Sequence, residues 1–415
     1  MSRRISILGR SFDISAETRD HFLVTVWLLV TVKQFRFDEL ILYPLALYFF
    51  WAFMRDFRQI FEILARSYVL WFFPIWWFLS LAWGEHPGQT LKSGLQLVLT
   101  LMICYGAVLR LRPRQIMVSV WIAAGYFGLL SFIVDPLGSS AKGVFKSKNS
   151  LGGAMVLFWV AGLCMALDPG LTRKIRIAAA ASLPLAFWMI QVSNSATATL
   201  LAMGSCTAVV FLRFRSLLSP IATVATVSLL VSFALIYGSY AALDVVEINP
   251  VKQVLRAFGK NTTLTGRTVL WEYATVEIRN RPLLGVGPGG FWTPEDPFSV
   301  ARRIYDEFHK VYSATFGFHN SYYETAVHFG LIGLGLLVIT TLWTFCRIFA
   351  FAIVQNEVWA IFFTCIALIT IATSVTEVVL MSAFHLLFML FIMGSLLTCK
   401  SASPSALGTT ARPGK

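Results

Sequence analysis

Long apolar blocks separated by short polar joints set the pattern of this chain. Twelve blocks fall near residues 21–33, 38–54, 67–83, 91–109, 115–134, 150–167, 175–191, 196–212, 217–241, 320–346, 355–374 and 377–398. Most run for about 17–25 residues, the length that crosses a bilayer as a helix. The pattern predicts an all-α integral membrane protein with about 12 transmembrane helices and one long loop, near 242–319, that itself contains helices. The N-terminal stretch MSRRISILGRSFDISAETRD is basic, but no small-residue cleavage site follows it. The first block therefore reads as a retained signal anchor.

Composition agrees. Apolar residues make up 57% and charged residues 13% of the 415, and the mean hydropathy is +0.70. A soluble chain of this length needs far more charged surface. The six cysteines (Cys104, Cys164, Cys206, Cys346, Cys365 and Cys399) sit in or at the ends of apolar blocks, with no CxxC. They read as small apolar residues, and neither disulfides nor a metal is expected.

Charge gives the orientation. Arg3, Arg4, Arg10 and Arg19 precede the first block. Arg55, Arg58 and Arg66, then Arg110, Arg112 and Arg114, then Arg173, Lys174 and Arg176 fall on alternate joints. Arg213, Arg215, Arg347, Lys400, Arg412 and Lys415 complete the set. Short basic joints belong on the cytoplasmic side. The predicted organisation is a cytoplasmic segment 1–20, helices one to nine over 21–241, an outer loop over 242–319, helices ten to twelve over 320–398, and a disordered cytoplasmic tail over 399–415.

Most of the remaining cations lie in two outer loops. Lys142, Lys146 and Lys148 share one, and nine more fall between Lys252 and Lys310. Topology does not call for them there, so they point to an anionic partner. Long loops also cross regardless of charge, which is the plainer account. No nucleic-acid partner is expected.

Three motifs meet the outer face. In GVFKSKNSLGGAM, Ser147 or Asn149 can cap the following helix, and Lys146 and Lys148 can hold phosphate or stand as a solvated basic turn. In LTGRTVLWEYATVEIRNRP, Thr265 can cap a helix that Pro282 ends. Arg267 then lies in a first turn whose free N–H groups also favour an anion. The next run, LLGVGPGGFW, matches GxGxxG at Gly285, Gly287 and Gly290. Pro288 and the absence of a βαβ setting exclude a dinucleotide site and leave a tight turn of close backbone approach.

The third motif is FHNSYYE. A span beginning near His319 sets His319 one turn from Tyr323, and Asn320 one turn from Glu324. His or Glu suits a general base on a sugar hydroxyl, and Asn320 and Tyr323 suit hydroxyl binding. An interfacial aromatic belt accounts for Tyr322 and Tyr323 but not for His319 and Glu324.

Taken in order, GVFKSKNSLGG, LTGRTVLWEYA, NRPLLGVGPGGFW and FHNSYYETAVHFGLIGLGLL resemble the bacterial O-antigen ligase and polymerase superfamily. The SKNSLG element is most similar to the succinoglycan-type exopolysaccharide polymerases. The resemblance covers nearly the whole chain. It implies a GT-C-like membrane glycosyltransferase of the bacterial inner membrane, with its active site facing the periplasm. Such enzymes take undecaprenyl-diphosphate-linked oligosaccharide, with no nucleotide sugar and usually no metal, and no cofactor is expected. The implied reaction is an inverting transfer that polymerises repeat units into exopolysaccharide or O-antigen. Arg267 matches the family's diphosphate-binding arginine, His319 its catalytic histidine, Lys148 and Asn149 its basic–Asn pair, and Glu324 a frequent acidic position. Glu324 is the alternative base. A chain-length regulator and a flippase are candidate partners, beside the lipid bilayer.

One element departs. Where the family often carries a basic residue before a mid-chain span, this chain reads SNSATAT, with Ala196 at that position. Lys146 or Lys148 is the replacement, or the enzyme is altered or inactive. A ligase, transferring glycan to lipid A core or protein, differs only in its acceptor. A flippase or transporter would show internal repeats and midplane charges; Glu377, near the outer end of the last span, is the main charge to watch. A non-catalytic assembly factor is the remaining alternative.

Overall fold

The computed structural model describes residues 3–7, 10–33, 35–215, 219 and 266–401. The predicted ninth span (217–241) apart from Ser219, the loop to Thr265 and nearly all of the tail lie outside the described residues. The chain opens with an antiparallel pair, β1 (Arg3–Ile7) and β2 (Arg10–Ile14), with Arg3 opposite Ile14. This short pair is an addition to an otherwise all-helical architecture. RRISI and RSFDI place apolar residues at alternate positions, a period of two that favours strand over helix.

The helices that follow are α1 (Ala16–Val32), α2 (Glu39–Arg55), α3 (Phe57–Arg66), α4 (Phe72–Leu79), α5 (Pro87–Arg110), α6 (Pro113–Val134), α7 (Lys148–Leu167), α8 (Arg173–Val192) and α9 (Ala196–Phe214). After the undescribed stretch come α10 (Arg267–Asn280), α11 (Val300–Glu307), α12 (Ser321–Gln355), α13 (Val358–Ser374) and α14 (Leu386–Ser401). Ten of the twelve predicted blocks fall on helical segments, the block at 377–398 is helical only from Leu386, and 217–241 lies outside the described residues apart from Ser219. By length and composition, six of the described helices can cross a membrane, or seven if α2 and α3, bent by 88° to each other, count as one span. α4, with its flanking 3₁₀ turns, α13 and α14 are apolar but shorter.

Sequence sets the helix starts. Ser147 accepts a bond from the Ser150 N–H at 3.2 Å to cap α7, and Ser195 accepts from Ala198 N–H at 3.4 Å to cap α9. Pro87 and Pro113 occupy the first turns of α5 and α6, where a missing N–H costs nothing. The helices share one apolar core, in which Phe49, Leu97, Met117, Val160, Phe362 and Leu390 are fully buried. A smaller apolar cluster, from Leu270, Ala274, Val286, Phe291, Ile304, Phe318 and Val327, seats the 266–319 region on the start of α12.

One end of the bundle gathers charges into closed pairs. Arg110, ending α5, donates to Asp20 of α1 at 2.9 Å and also bonds Asp56 between α2 and α3. Arg114 of α6 bonds Asp168 after α7 at 2.8 Å and Glu357 before α13 at 2.9 Å. Lys400 donates to the carbonyls of Val108 and Leu109 at 2.8 and 2.9 Å, at the C-terminus of α5.

Candidate active site

The opposite end is organised by a break in α12. Gly330 has φ 66° and ψ −173°, far from helical values. In an unbroken helix Leu331 N–H would bond Val327 C=O, and Ile332 N–H would bond His328 C=O. The loop before α12 takes over all four groups. Val286 N–H bonds Val327 C=O at 3.0 Å, and Gly287 N–H bonds His328 C=O at 2.8 Å. Leu331 N–H bonds Pro282 C=O at 2.8 Å, and Ile332 N–H bonds Leu283 C=O at 3.4 Å. Broken backbone within a membrane span persists only when its polar groups are satisfied in this way. Residues 282–287 are thus a plug in α12, which explains the glycines. A Cβ on Gly330 would lie 2.1 Å from Leu283 O, and one on Gly287 would lie 2.5 Å from the Gly84 Cα. The run binds backbone, not a dinucleotide.

The predicted helix of the long loop is present as α10, and Arg267 stands at its first position after Gly266, whose φ is 84°. Thr265, the expected cap, lies outside the described residues. α12 begins later than the sequence suggests. Asn320 is its N-cap and accepts from Tyr322 and Tyr323 N–H at 2.8 and 3.1 Å. His319 therefore precedes the helix, with a left-handed φ of 51°, and does not share a turn with Tyr323. Such a backbone is uncommon outside glycine and is often held at functional positions.

His319 and Arg267 meet through Glu377. Arg267 donates to Glu377 Oε1 at 2.7 Å, and His319 Nδ1 lies 3.0 Å from Glu377 Oε2. An ionised carboxylate only accepts, so Nδ1 is the donor, and in the neutral imidazole Nε2 is the nitrogen left as acceptor. The His319 and Glu377 side chains are each 39% exposed, and that of Arg267 is 19% exposed. The row is therefore open to solvent.

Glu377 lies outside any helix, because α14 starts at Leu386 and not near 377 as the apolar pattern suggests. The intervening backbone is held by side chains. Ser321 Oγ accepts from Val379 and Leu380 N–H at 2.9 and 3.2 Å, and Thr100 Oγ1 accepts from Phe384 N–H at 3.1 Å.

The other predicted site residues are placed differently. Asn320 uses its carbonyl as the cap and donates its amide to Val375 C=O at 3.0 Å, so both ends serve the fold. Tyr323 stacks on Trp271 with ring centroids 5.6 Å apart. Both Glu324 oxygens are taken by Trp292, Phe318 N–H and His328. Lys146, Lys148 and Asn149 form a separate place at the start of α7, and no contact joins them to Glu377 among the described residues. Ser195, capping α9, donates to Asn149 Oδ1 at 3.2 Å, so the N-termini of α7 and α9 are neighbours. Ala196 is 4% exposed in the first turn of α9 and is packed, not open to solvent.

The lysine loop is braced by Asp135, which accepts the hydroxyl and N–H of both Ser140 and Ser139. The Ser140 hydroxyl, with its partners, holds this carboxyl well below the usual carboxylate range. A cleft of about 410 Å³, lined by Glu85, His86, Gln89, Gly289 and Thr293, opens beside the plug; Arg267, His319 and Glu377 do not line it. Sequence periodicity marks Glu377 only as a charge near the outer end of the last span, with no link to Arg267 or His319, and it misses His328, which sits in a stretch that reads as membrane interior.

A bundle of apolar helices with a histidine, a carboxylate and an arginine in contact at one end defines a multi-pass membrane protein with a polar site at its rim. Comparison with known proteins gives the family. Residues 179–338 match the O-antigen ligase family. Over 337 residues the chain is 30% identical to the exopolysaccharide production protein ExoQ of Rhizobium meliloti (strain 1021), covering 78% of this chain and 75% of that protein. The chain belongs to the O-antigen ligase family, whose ligase- and polymerase-type members act on lipid-linked oligosaccharide in a membrane.

Proposed function

We propose that this chain polymerises undecaprenyl-diphosphate-linked oligosaccharide repeat units into exopolysaccharide, at the periplasmic face of the bacterial inner membrane. The observation that carries the reading is the single carboxylate of Glu377 shared by His319 and Arg267. It joins a base to an anion ligand at substrate-accessible positions. The likeness to a protein named for exopolysaccharide production supports the polymer as product.

In the proposed step His319 Nε2 takes the proton of the acceptor hydroxyl, and Glu377 steadies the resulting imidazolium. The hydroxyl oxygen bonds the anomeric carbon from the face opposite the diphosphate, whose C–O bond breaks, so the configuration inverts. The lipid diphosphate leaves with the bonding electrons. Arg267 stabilises its growing charge, and Lys148 does so from the α7 side. No cofactor is assigned a role.

The match to a family described as O-antigen ligase favours a second reading, in which the acceptor is lipid A core or a protein. One experiment separates the two. Purified protein in lipid nanodiscs is given only lipid-diphosphate-linked oligosaccharide. Polymerase activity yields a ladder of longer lipid-linked glycans and one released lipid diphosphate per bond formed. No ladder, with glycan transfer when lipid A core or a protein acceptor is added, would establish the ligase.

A further inference from the structure

Glu324 is largely enclosed where a base for a large substrate should be open. Its side chain is 18% exposed and that of His328, one turn on, is 10% exposed. Glu324 Oε1 accepts from Trp292 Nε1–H at 2.8 Å and faces His328 Nε2 at 3.2 Å; Oε2 accepts from Phe318 N–H at 2.9 Å. His328 Nδ1 lies 3.0 Å from Gly287 C=O. A carbonyl only accepts, so Nδ1 carries a proton. A neutral His328 would then aim its Nε2 lone pair at the carboxylate. The contact needs a second proton between them, as imidazolium with carboxylate or imidazole with carboxylic acid, and either form is neutral overall.

We infer that Glu324 and His328 form a proton-sharing brace that positions His319, and that Glu324 is not the base. The brace rests on the reading of His319 as the base. Its effect runs through Phe318, the residue before His319. Glu324 holds the Phe318 N–H, while Trp271 Nε1–H of α10 holds the Phe318 C=O at 3.0 Å. Phe318 itself is fully buried. Both peptide groups of Phe318 are therefore fixed, and Asn320 is fixed as the cap of α12, so the left-handed His319 between them has one backbone setting. At its other end the brace ties to Gly287 in both directions, through His328 Nδ1–H to Gly287 C=O and Gly287 N–H to His328 C=O. The loop that plugs α12 and the helix that carries Arg267 are thus locked to the histidine. Trp292, His328 and Phe318 N–H already use three of the roughly four acceptor positions of the Glu324 carboxylate, which leaves little of it to face an acceptor hydroxyl.

The test compares Glu324→Gln, Glu324→Ala, His328→Gln and His319→Ala in membranes matched for protein, reading the initial rate of glycan lengthening against donor concentration. A glutamine still accepts from Phe318 N–H. Glu324→Gln should therefore keep kcat within about ten-fold of the parent, the effect of one weakened hydrogen bond. Glu324→Ala should lose about 100-fold in kcat, as expected of a misplaced reacting group, with little change in the donor KM. His328→Gln, which does not rely on an alanine variant folding, should resemble Glu324→Gln. Glu324→Gln as inactive as His319→Ala overturns the brace and makes Glu324 the base. Unchanged kcat in Glu324→Ala also overturns it. Full activity in His319→Ala overturns instead the reading on which the brace rests.

Discussion

The two ends of the bundle treat charge in opposite ways. At the end holding Arg110 and Arg114, cations meet carboxylates from several helices. Arg110 lies between Asp20 and Asp56, and Arg114 between Asp168 and Glu357. At the other end one carboxylate, Glu377, serves both Arg267 and His319, and Lys146 and Lys148 make no ion pair among the described residues. The first arrangement holds helices together. The second leaves positive charge that suits the leaving diphosphate of the proposed reaction.

The comparison breaks most completely on sidedness. Reporters fused near residue 290 should be periplasmic, and those near 112 cytoplasmic. A cytoplasmic signal from the first fusion would place the site on the wrong side for the proposed substrate.

Next comes a double contrast between two arginines. Removing one member of a buried ion pair costs about 3–5 kcal/mol, so Arg110→Ala should sharply reduce the folded protein found in membranes. Arg267→Ala should leave that amount near normal and lower the rate by about 10²–10³-fold. An immunoblot and a glycan ladder on the same membranes check both. Reversed results would exchange the roles of the two ends.

Smaller effects separate the lysines. Lys148, the first residue of α7, should lose more activity on change to Ala than Lys146, which precedes the cap. Glycan length on a gel reads this, and full-length polymer from Lys148→Ala would return the 142–148 loop to a solvated basic turn. Ala196 is too well packed to accept an arginine that would substitute for the lysine.

The sequence made the helices legible because bilayer-length apolar blocks have few other uses. It also placed Arg267 at a helix start and His319 at the mouth of a span. The break in α12 was hidden, because AVHFGLIGLGLL is apolar apart from His328 and none of its glycines announces a backbone plug. Glu377 stood out as a charge near the outer end of the last span, but its place between Arg267 and His319 was hidden. VTEVVLMSAFH looks like the start of a span, yet the N–H groups of Val379, Leu380 and Phe384 are held by Ser321 and Thr100 and no helix forms there. His328 reads as an isolated histidine in a membrane helix until Gly287 and Glu324 are found beside it. Each miss is a long-range contact, which local periodicity does not encode.

The central claim is that His319, steadied by Glu377, is the base of a lipid-diphosphate glycosyl transfer. The most direct measurement is the rate of lipid diphosphate release from lipid-diphosphate-linked oligosaccharide by His319→Ala and Glu377→Gln in nanodiscs, at protein levels matched to the parent. The account predicts a fall to about 1% or less for His319→Ala and a smaller, clear loss for Glu377→Gln, with donor binding retained in both. Release at the parent rate by His319→Ala would contradict it.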